Sequence, residues 1–375
     1  MKLGIIRLYS GMSGEVGYYN IQEIGLAKAL SRKGISTDIF FLTNKKENKE
    51  IIVKEINNMV RVIYIPTYKL YNHGIISPKF ILNYQINIVH LLSDNQLMVP
   101  SFIKFCNKNS IPIYNYVGTI YSDTKNKVKK LFMDILSNRN IKYFKISKTV
   151  AKTPSVQRQL KDDKISVIPV GLDLDIIPKL SNSKFELRKE LDLPINKKIL
   201  IFVGRLESYK EPLKSIELMK ELKKISNEYI LILIGQGSLK NKISTLIREY
   251  RLENDIISMD KVENSKIHDY YKASDMFLNF NNKEIFGMSI LEAMYQGCKV
   301  IAKDAPGPNY IINDKINGFI MKDYNMSNWI EVIEKNINDD KISELSKEKV
   351  VRYFNWDSIA SQYINLFKQV KDIKL

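Results

Sequence analysis

Short apolar runs bounded by polar turns recur along the chain. In the first half they are Leu3–Leu8, Thr37–Leu42, Arg61–Ile65, Ile86–His90 and Ile111–Tyr116. Longer segments with helical spacing separate them, and this alternation predicts parallel βαβ units. A second set follows residues 178–198, namely Ile199–Val203, Tyr229–Ile234, Asp255–Ser258, Met276–Phe280, Lys299–Ala302 and Gly318–Met321. The fold class expected is α/β, as two Rossmann-like doubly wound domains facing a central cleft. Between them, Ile168-Pro169-Val170-Gly171 and the polar Ser181-Asn182-Ser183 have the composition of a linker. Domains are therefore expected at 1–180 and 181–352. A tail at 353–375, with Trp356, Ile359, Tyr363, Ile364 and Phe367 at helical spacing, is expected to pack back across the first domain.

Composition narrows the class. At 375 residues and 45% hydrophobic, the chain can bury two cores, and no stretch approaches the roughly 18 apolar residues of a membrane span. The opening Met1-Lys2-Leu3-Gly4-Ile5-Ile6-Arg7 reads as a first strand rather than a signal peptide, which implies a cytoplasmic protein. Cys106 and Cys298, without metal or disulfide spacing, are expected as packed free thiols. The net charge of +17 favours anionic partners, and about half of the excess lies between Ser122 and Lys164, with twelve Lys/Arg against four Asp/Glu. There Val128, Leu131, Phe132, Ile135 and Leu136 run at helical spacing beside Lys125, Lys129 and Lys130, as in a membrane-surface helix or in an ordinary packed helix with a solvated face. Aromatics are not interleaved as a single-strand groove requires, and no zinc-finger or helix-turn-helix signature occurs, so nucleic acid is not an expected partner.

In open α/β sheets chemistry sits in loops beyond the carboxyl ends of strands. The first such loop, Ser10-Gly11-Met12-Ser13-Gly14-Glu15-Val16-Gly17, suits a phosphate or a plain turn; it lacks the full dinucleotide spacing. The second domain opens Ile201-Phe202-Val203-Gly204-Arg205-Leu206-Glu207-Ser208-Tyr209-Lys210, delivering two cations into one loop. They suit a diphosphate, or surface pairs with Glu207 and Glu211. Gly235-Gln236-Gly237 fits nucleotide approach or tight turning.

The most informative stretch runs from Asn281 to Met294, where a strand ends and a helix begins. Glu284 precedes Phe286-Gly287-Met288, and Glu292 lies inside the helix. Carboxylates accept hydrogen bonds from vicinal hydroxyls, so Glu284 suits a sugar and Glu292 a ribose, with free helix-start amides facing phosphate between them. A helix-dipole role for Glu284 and solvent exposure for Glu292 remain the plainer alternative.

Together, in order and spacing, these residues resemble the retaining glycosyltransferases of the GT-B fold, group four, over nearly the whole chain. The resemblance rests on Gly14 to Gly17 with Glu23-Ile24-Gly25-Leu26-Ala27, on Ile168 to Asp173, on Gly204-Arg205 with Lys210, on Gly235-Gln236-Gly237, and on Glu284 to Glu292. It implies Arg205, Lys210 and Glu284 as catalytic residues. Donor-binding residues would be Gly14, Gly17, Gly204, Gly235, Gly237, Phe286, Gly287, Met288 and Glu292. It further implies front-face substitution in which the leaving phosphate helps to deprotonate the acceptor, with no cofactor and no metal. The expected function is transfer from a nucleotide-sugar, UDP before GDP, to a glycan or lipid-linked acceptor in cell-surface polysaccharide or glycoconjugate synthesis, at the inner face of the membrane. A soluble transferase acting on a protein or small metabolite, a GT-B phosphorylase and a non-catalytic basic binding module are the rivals.

Two departures stand out. Where relatives carry a His, this chain reads Tyr116-Val117-Gly118-Thr119, and His90, at a strand end, lines the cleft or is simply packed. Where relatives read Gly-Gly-x-x-Glu, it has Ala305-Pro306-Gly307-Pro308-Asn309-Tyr310.

Overall fold

The computed structural model describes residues 1–10, 21–46, 49–71, 73–92, 96–117, 145–147 and 165–370. Two compact units form, one from Met1–Gly171 with Trp356–Leu375, the other from Leu172–Asn355. Residues 172–180, assigned to the first domain by the sequence reading, cluster with the second unit. Leu172 donates its N–H to the Phe354 carbonyl at 2.6 Å and pairs with Asn355, which ties that stretch to the end of the second unit.

The first unit contains β1 (Lys2–Ser10), α1 (Gln22–Ser31), β2 (Ser36–Asn44), β3 (Ile52–Asn57), β4 (Val60–Leu70), β5 (His73–Ile75), α2 (Phe80–Asn83), β6 (Ile88–Leu91), α3 (Val99–Lys108), β7 (Ile113–Val117), β8 (Lys145–Ser147) and β9 (Ile165–Val167). Strands β4, β2, β1, β6, β7, β8 and β9 lie side by side in parallel. β3 joins β4 antiparallel at the edge, and β5 clips the ends of β4 and β1. The expected five strands are present. β3 escaped the pattern because all six of its residues are exposed, which leaves no buried face to mark it.

The second unit runs α4 (Lys184–Glu190), β10 (Lys198–Val203), α5 (Pro212–Ile225), β11 (Tyr229–Ile234), α6 (Lys240–Glu249), β12 (Ile256–Met259), α7 (Asn264–Ala273), β13 (Met276–Asn279), α8 (Met288–Tyr295), β14 (Lys299–Lys303), α9 (Pro306–Ile311), β15 (Phe319–Met321), α10 (Met326–Asn336) and α11 (Asp340–Tyr353). All six strands are parallel, in the order β12-β11-β10-β13-β14-β15. Chain order reverses between β10 and β13. Loops leaving these two strands diverge and open a crevice at their carboxyl ends. At the opposite ends Asp275 fastens the same pair of strands, accepting from the Ile199 N–H at 2.7 Å, from Arg188 at 2.7 Å and from Lys184 at 2.8 Å.

The tail forms α12 (Trp356–Val370), which buries Trp356, Ile359, Ala360, Tyr363, Leu366 and Phe367 within the first unit. The Trp356 indole lies against Gly25 of α1 and Gly171, where any Cβ would strike the ring. These two glycines, part of the motif stretches in the sequence, are therefore packing positions. Cys106 and Cys298 are buried free thiols, and burial pushes both up to about 12. Among the described residues no helix is long and apolar enough to cross a membrane.

Candidate functional site

The site in the second unit is built where β10 and β13 release their loops. After β10 the chain passes Gly204 and Arg205, makes a tight helical turn over Ser208–Lys210, and enters α5 through Glu211. Glu211 holds φ at 53°, a left-handed conformation uncommon for a side-chain-bearing residue. It reverses the chain directly behind Lys210. After β13 the Phe280 ring stacks on Trp329 at 4.2 Å, and the Phe280 carbonyl accepts from Tyr324 Oη at 2.8 Å, which fixes the start of the Asn281–Gly287 loop.

Lys210 Nζ and Glu284 Oε2 meet at 2.6 Å. Asn281 Nδ2 donates to the same oxygen at 3.1 Å. The Asn281 amide can point only one way, because its Oδ1 accepts the Lys283 N–H at 2.9 Å. Among the described residues, two donors thus hold Oε2 and none meets Oε1. The Asn281 backbone N–H is itself held by Asn279 Oδ1 at 3.0 Å, and Asn281 is buried. Asn281 is not among the site residues expected from sequence. Its signal was the Asn-Asn-Lys-Glu run after an apolar strand, which is the composition of an Asx turn.

Arg205 is exposed and has no ion-pair partner among the described residues. The surface pairing considered for it is not formed, because Glu207 accepts instead from Ser238 N–H at 3.0 Å and Ser238 Oγ at 2.7 Å, contacts that hold its carboxyl below the usual range. Tyr209 sits beneath both cations, 5.4 Å from Arg205 and 5.6 Å from Lys210.

The glycines divide by role. A Cβ on Gly204 would find only ordinary contact with Phe202, at 3.7 Å. One on Gly235 or Gly237 would run into the backbone of Gly204 or Leu206. Leu206 N–H donates to the Gln236 carbonyl at 2.8 Å and Leu239 N–H to the Leu206 carbonyl at 2.9 Å, so the loops after β10 and β11 interlock. Beside them Arg205, Gly235, Gln236, Asp260, Lys261 and Val262 line a groove of about 360 Å³. Its far wall, from the loop after β12, carried no sequence signal.

Gly287 stands at the start of α8 with φ at 98°, and Phe286 is buried against Phe354, ring centroids 6.2 Å apart. Glu292 is 8% exposed, so the solvated alternative does not hold. The divergent loop at 305–310 still supports the site. Gly307 N–H donates to the Glu284 carbonyl at 2.9 Å, and a side chain there would collide with the Phe286 backbone.

Gly14, Gly17, Gly118 and most of the basic segment 122–164 lie outside the described residues. In the first unit His90 is buried, its ring edge-on to Tyr363 at 5.3 Å, and burial lowers it to about 3, so it is a neutral packed histidine.

Residues 183–350 match the family model described as Glycosyl transferases group 1. The match lies wholly within the second unit. Among similar proteins, a D-inositol 3-phosphate glycosyltransferase of Corynebacterium aurimucosum is 21% identical over 97% of this chain and 93% of its own. An Escherichia coli UDP-Gal:alpha-D-GlcNAc-diphosphoundecaprenol alpha-1,3-galactosyltransferase is 27% identical over 54% of each chain. The chain spans only about half the length of several curated relatives that it matches. In fold it resembles the crystal structure of Anabaena HepE in complex with UDP, with a TM-score of 0.76 at 16% identity, over 98% of this chain and all of that one. The two parallel-sheet units have the GT-B fold.

Proposed function

We propose that the chain transfers a hexose or N-acetylhexosamine from a UDP-sugar to a glycan or lipid-linked acceptor in glycoconjugate synthesis, with retention and without a metal, at the inner face of the cell membrane. One observation carries this reading. The Lys210–Glu284 pair, with Arg205 on the same loop as Lys210, stands at the strand-order reversal and sets a carboxylate, suited to accept from hydroxyls, beside two cations suited to phosphate. Arg205 and Lys210 are assigned to the donor diphosphate, where fixed positive charge stabilises the departing nucleotide and takes the place of a metal. Gly204, lacking a side chain and crowded only by ordinary contact with Phe202, is assigned to backbone approach to the phosphates. The groove beside Gly235 and Val262 is assigned to the nucleoside, and Glu292 to its ribose. Glu284 Oε1 reads a sugar hydroxyl. No protein base is assigned, since the leaving phosphate accepts the acceptor proton. Two supports for the substrates are HepE, solved with UDP, and the E. coli relative, named for a UDP-sugar and a diphosphoundecaprenol-linked acceptor. The membrane assignment rests on the basic, apolar-spaced segment 122–164.

The test is thermal unfolding with UDP, GDP and ADP. UDP at about a hundred times its Kd should stabilise the protein by about 2.7 kcal/mol. Arg205→Ala should remove most of that shift without altering the melting temperature of the free protein. Equal stabilisation by all three nucleotides, or a full UDP shift in the variant, would contradict the assignment.

Asn281 provides a second, finer check. Asn281→Leu leaves Glu284 held by Lys210 alone, free to rotate its carboxylate. We expect kcat to fall about tenfold to a hundredfold, the loss typical of a misplaced reacting group, with UDP stabilisation unchanged. A loss of UDP binding in step with activity would mark Asn281 as merely structural.

A further inference from the structure

A second feature lies wholly in the first unit, where β2 and β4 end. Lys45, Lys46, Lys49 and Lys69 line a groove of about 600 Å³ together with Tyr68 and Tyr71. That volume lies within the range of about 300–1,000 Å³ that holds small ligands. Among the described residues none of the four lysines forms an ion pair. The groove floor is polar, with Thr67 buried and its carbonyl accepting the Lys45 N–H at 2.9 Å. Its walls carry two unusually open aromatic rings, Tyr68 at 69% exposure and Tyr71 at 86%. Tyr71 also holds φ at 53°, a strained conformation for a large side chain. Lys45 Nζ sits 4.8 Å from the Tyr68 ring centroid, so cation and aromatic face already stand together.

Lysines without ion pairs, Lys45 donating only to Tyr68 Oη at 3.5 Å, raise the positive potential of a concavity and draw anions. Open tyrosine rings offer flat apolar faces to the C–H faces of sugar rings, with a hydroxyl at the rim. We propose that this groove binds an anionic oligosaccharide, its carboxylate, phosphate or sulfate groups meeting the lysines and its rings lying on Tyr68 and Tyr71. A concave, polar-floored groove suits an extended chain better than a flat bilayer. A glycan is preferred to a nucleic acid because the chain is a glycosyltransferase; in that respect the proposal rests on the function given above.

The test uses the full chain and does not depend on transfer. Binding of a hyaluronan hexasaccharide and a heparin hexasaccharide is measured by fluorescence anisotropy, beside neutral chitohexaose, oligodeoxythymidylate and phosphatidylglycerol vesicles. At least one anionic hexasaccharide should bind, with affinity falling as salt rises. The pair Lys45→Gln and Lys69→Gln should weaken it at least tenfold, and Tyr71→Ala severalfold with its salt dependence unchanged, while both variants keep the wild-type melting temperature. Failure of both anionic sugars to bind, equal binding of chitohexaose, or an unaltered affinity in the lysine variant overturns the proposal. So does lysine-dependent binding of vesicles or oligonucleotide in place of the sugars. UDP-induced stabilisation, recorded in parallel, separates the two readings. Its absence beside intact glycan binding defeats the donor-site reading and leaves the groove standing.

Discussion

Replacing Glu284 with Gln will lower sugar transfer about a hundredfold to a thousandfold, the loss that follows removal of one preorganised polar group at a reacting centre. The substitution keeps the shape of the side chain, so the fold should survive. What it removes is acceptor capacity. In the native site Oε2 already takes Lys210 at 2.6 Å and Asn281 at 3.1 Å, which leaves Oε1 for the ligand. A glutamine has a single acceptor oxygen. If that oxygen stays with Lys210 and Asn281, an N–H faces the sugar where an acceptor is needed. If it turns toward the sugar, the amide donors confront Lys210. The Lys210 charge is also released, which favours a bound diphosphate, so UDP affinity should hold or rise while kcat falls. Steady-state kinetics with a UDP-sugar series, read against UDP titration, will show this split. Unchanged turnover in Glu284→Gln would remove Glu284 from the reaction.

Arg188→Ala should be the most damaging substitution for stability outside the site. Its guanidinium is buried and donates to the carbonyls of Ala273, Ile195 and Lys197 as well as to Asp275. Removing one partner of a buried ion pair costs about 3–5 kcal/mol; here the loss strips three carbonyls of their donor and leaves Asp275 to Lys184 and the Ile199 N–H. In a unit of this size that corresponds to a fall of roughly 10 °C in melting temperature. Asp275 sets the pH dependence. Burial alone would raise its pKa, but Lys184, the Ile199 N–H and Arg188 outweigh this and lower it. With the folded value below the unfolded one, this contribution to stability is complete above the unfolded carboxylate range, near pH 4, and is lost as pH falls through the lowered folded value. Arg188→Ala should flatten this acid limb. Melting curves from pH 7 down to pH 2 test both effects, and a variant within 1 kcal/mol of the wild type would refute the network's assigned weight.

How much of this was legible beforehand depended on whether a residue's environment leaves a local trace. The inner strands of the second unit, β10, β11, β13 and β14, are buried on both faces, as Tyr229–Ile234 is throughout, and so stand out as apolar runs. β3 has no buried face and left no trace. Glu284 and Lys210 were nominated by spacing, but their direct contact joins residues 74 positions apart and follows only from strand order. Gly25, Gly171, Gly235 and Gly237 were all quoted as motif positions. Only their neighbours in space, the Trp356 indole for two and an adjoining turn for the others, show what each lacks a side chain for. The groove at Lys45 and Tyr71 draws its residues from two strands and the turn beyond each, and no window of sequence contains it.

The hydrogen bond from Leu172 to Phe354 closes residues 172–355 into a continuous insert whose two ends lie side by side. A segment that leaves and returns at one point is the kind that domain insertion tolerates. The family match falls entirely inside it. The unit that carries the family match is thus encoded by one continuous stretch of the gene, so it can be excised or replaced in one piece.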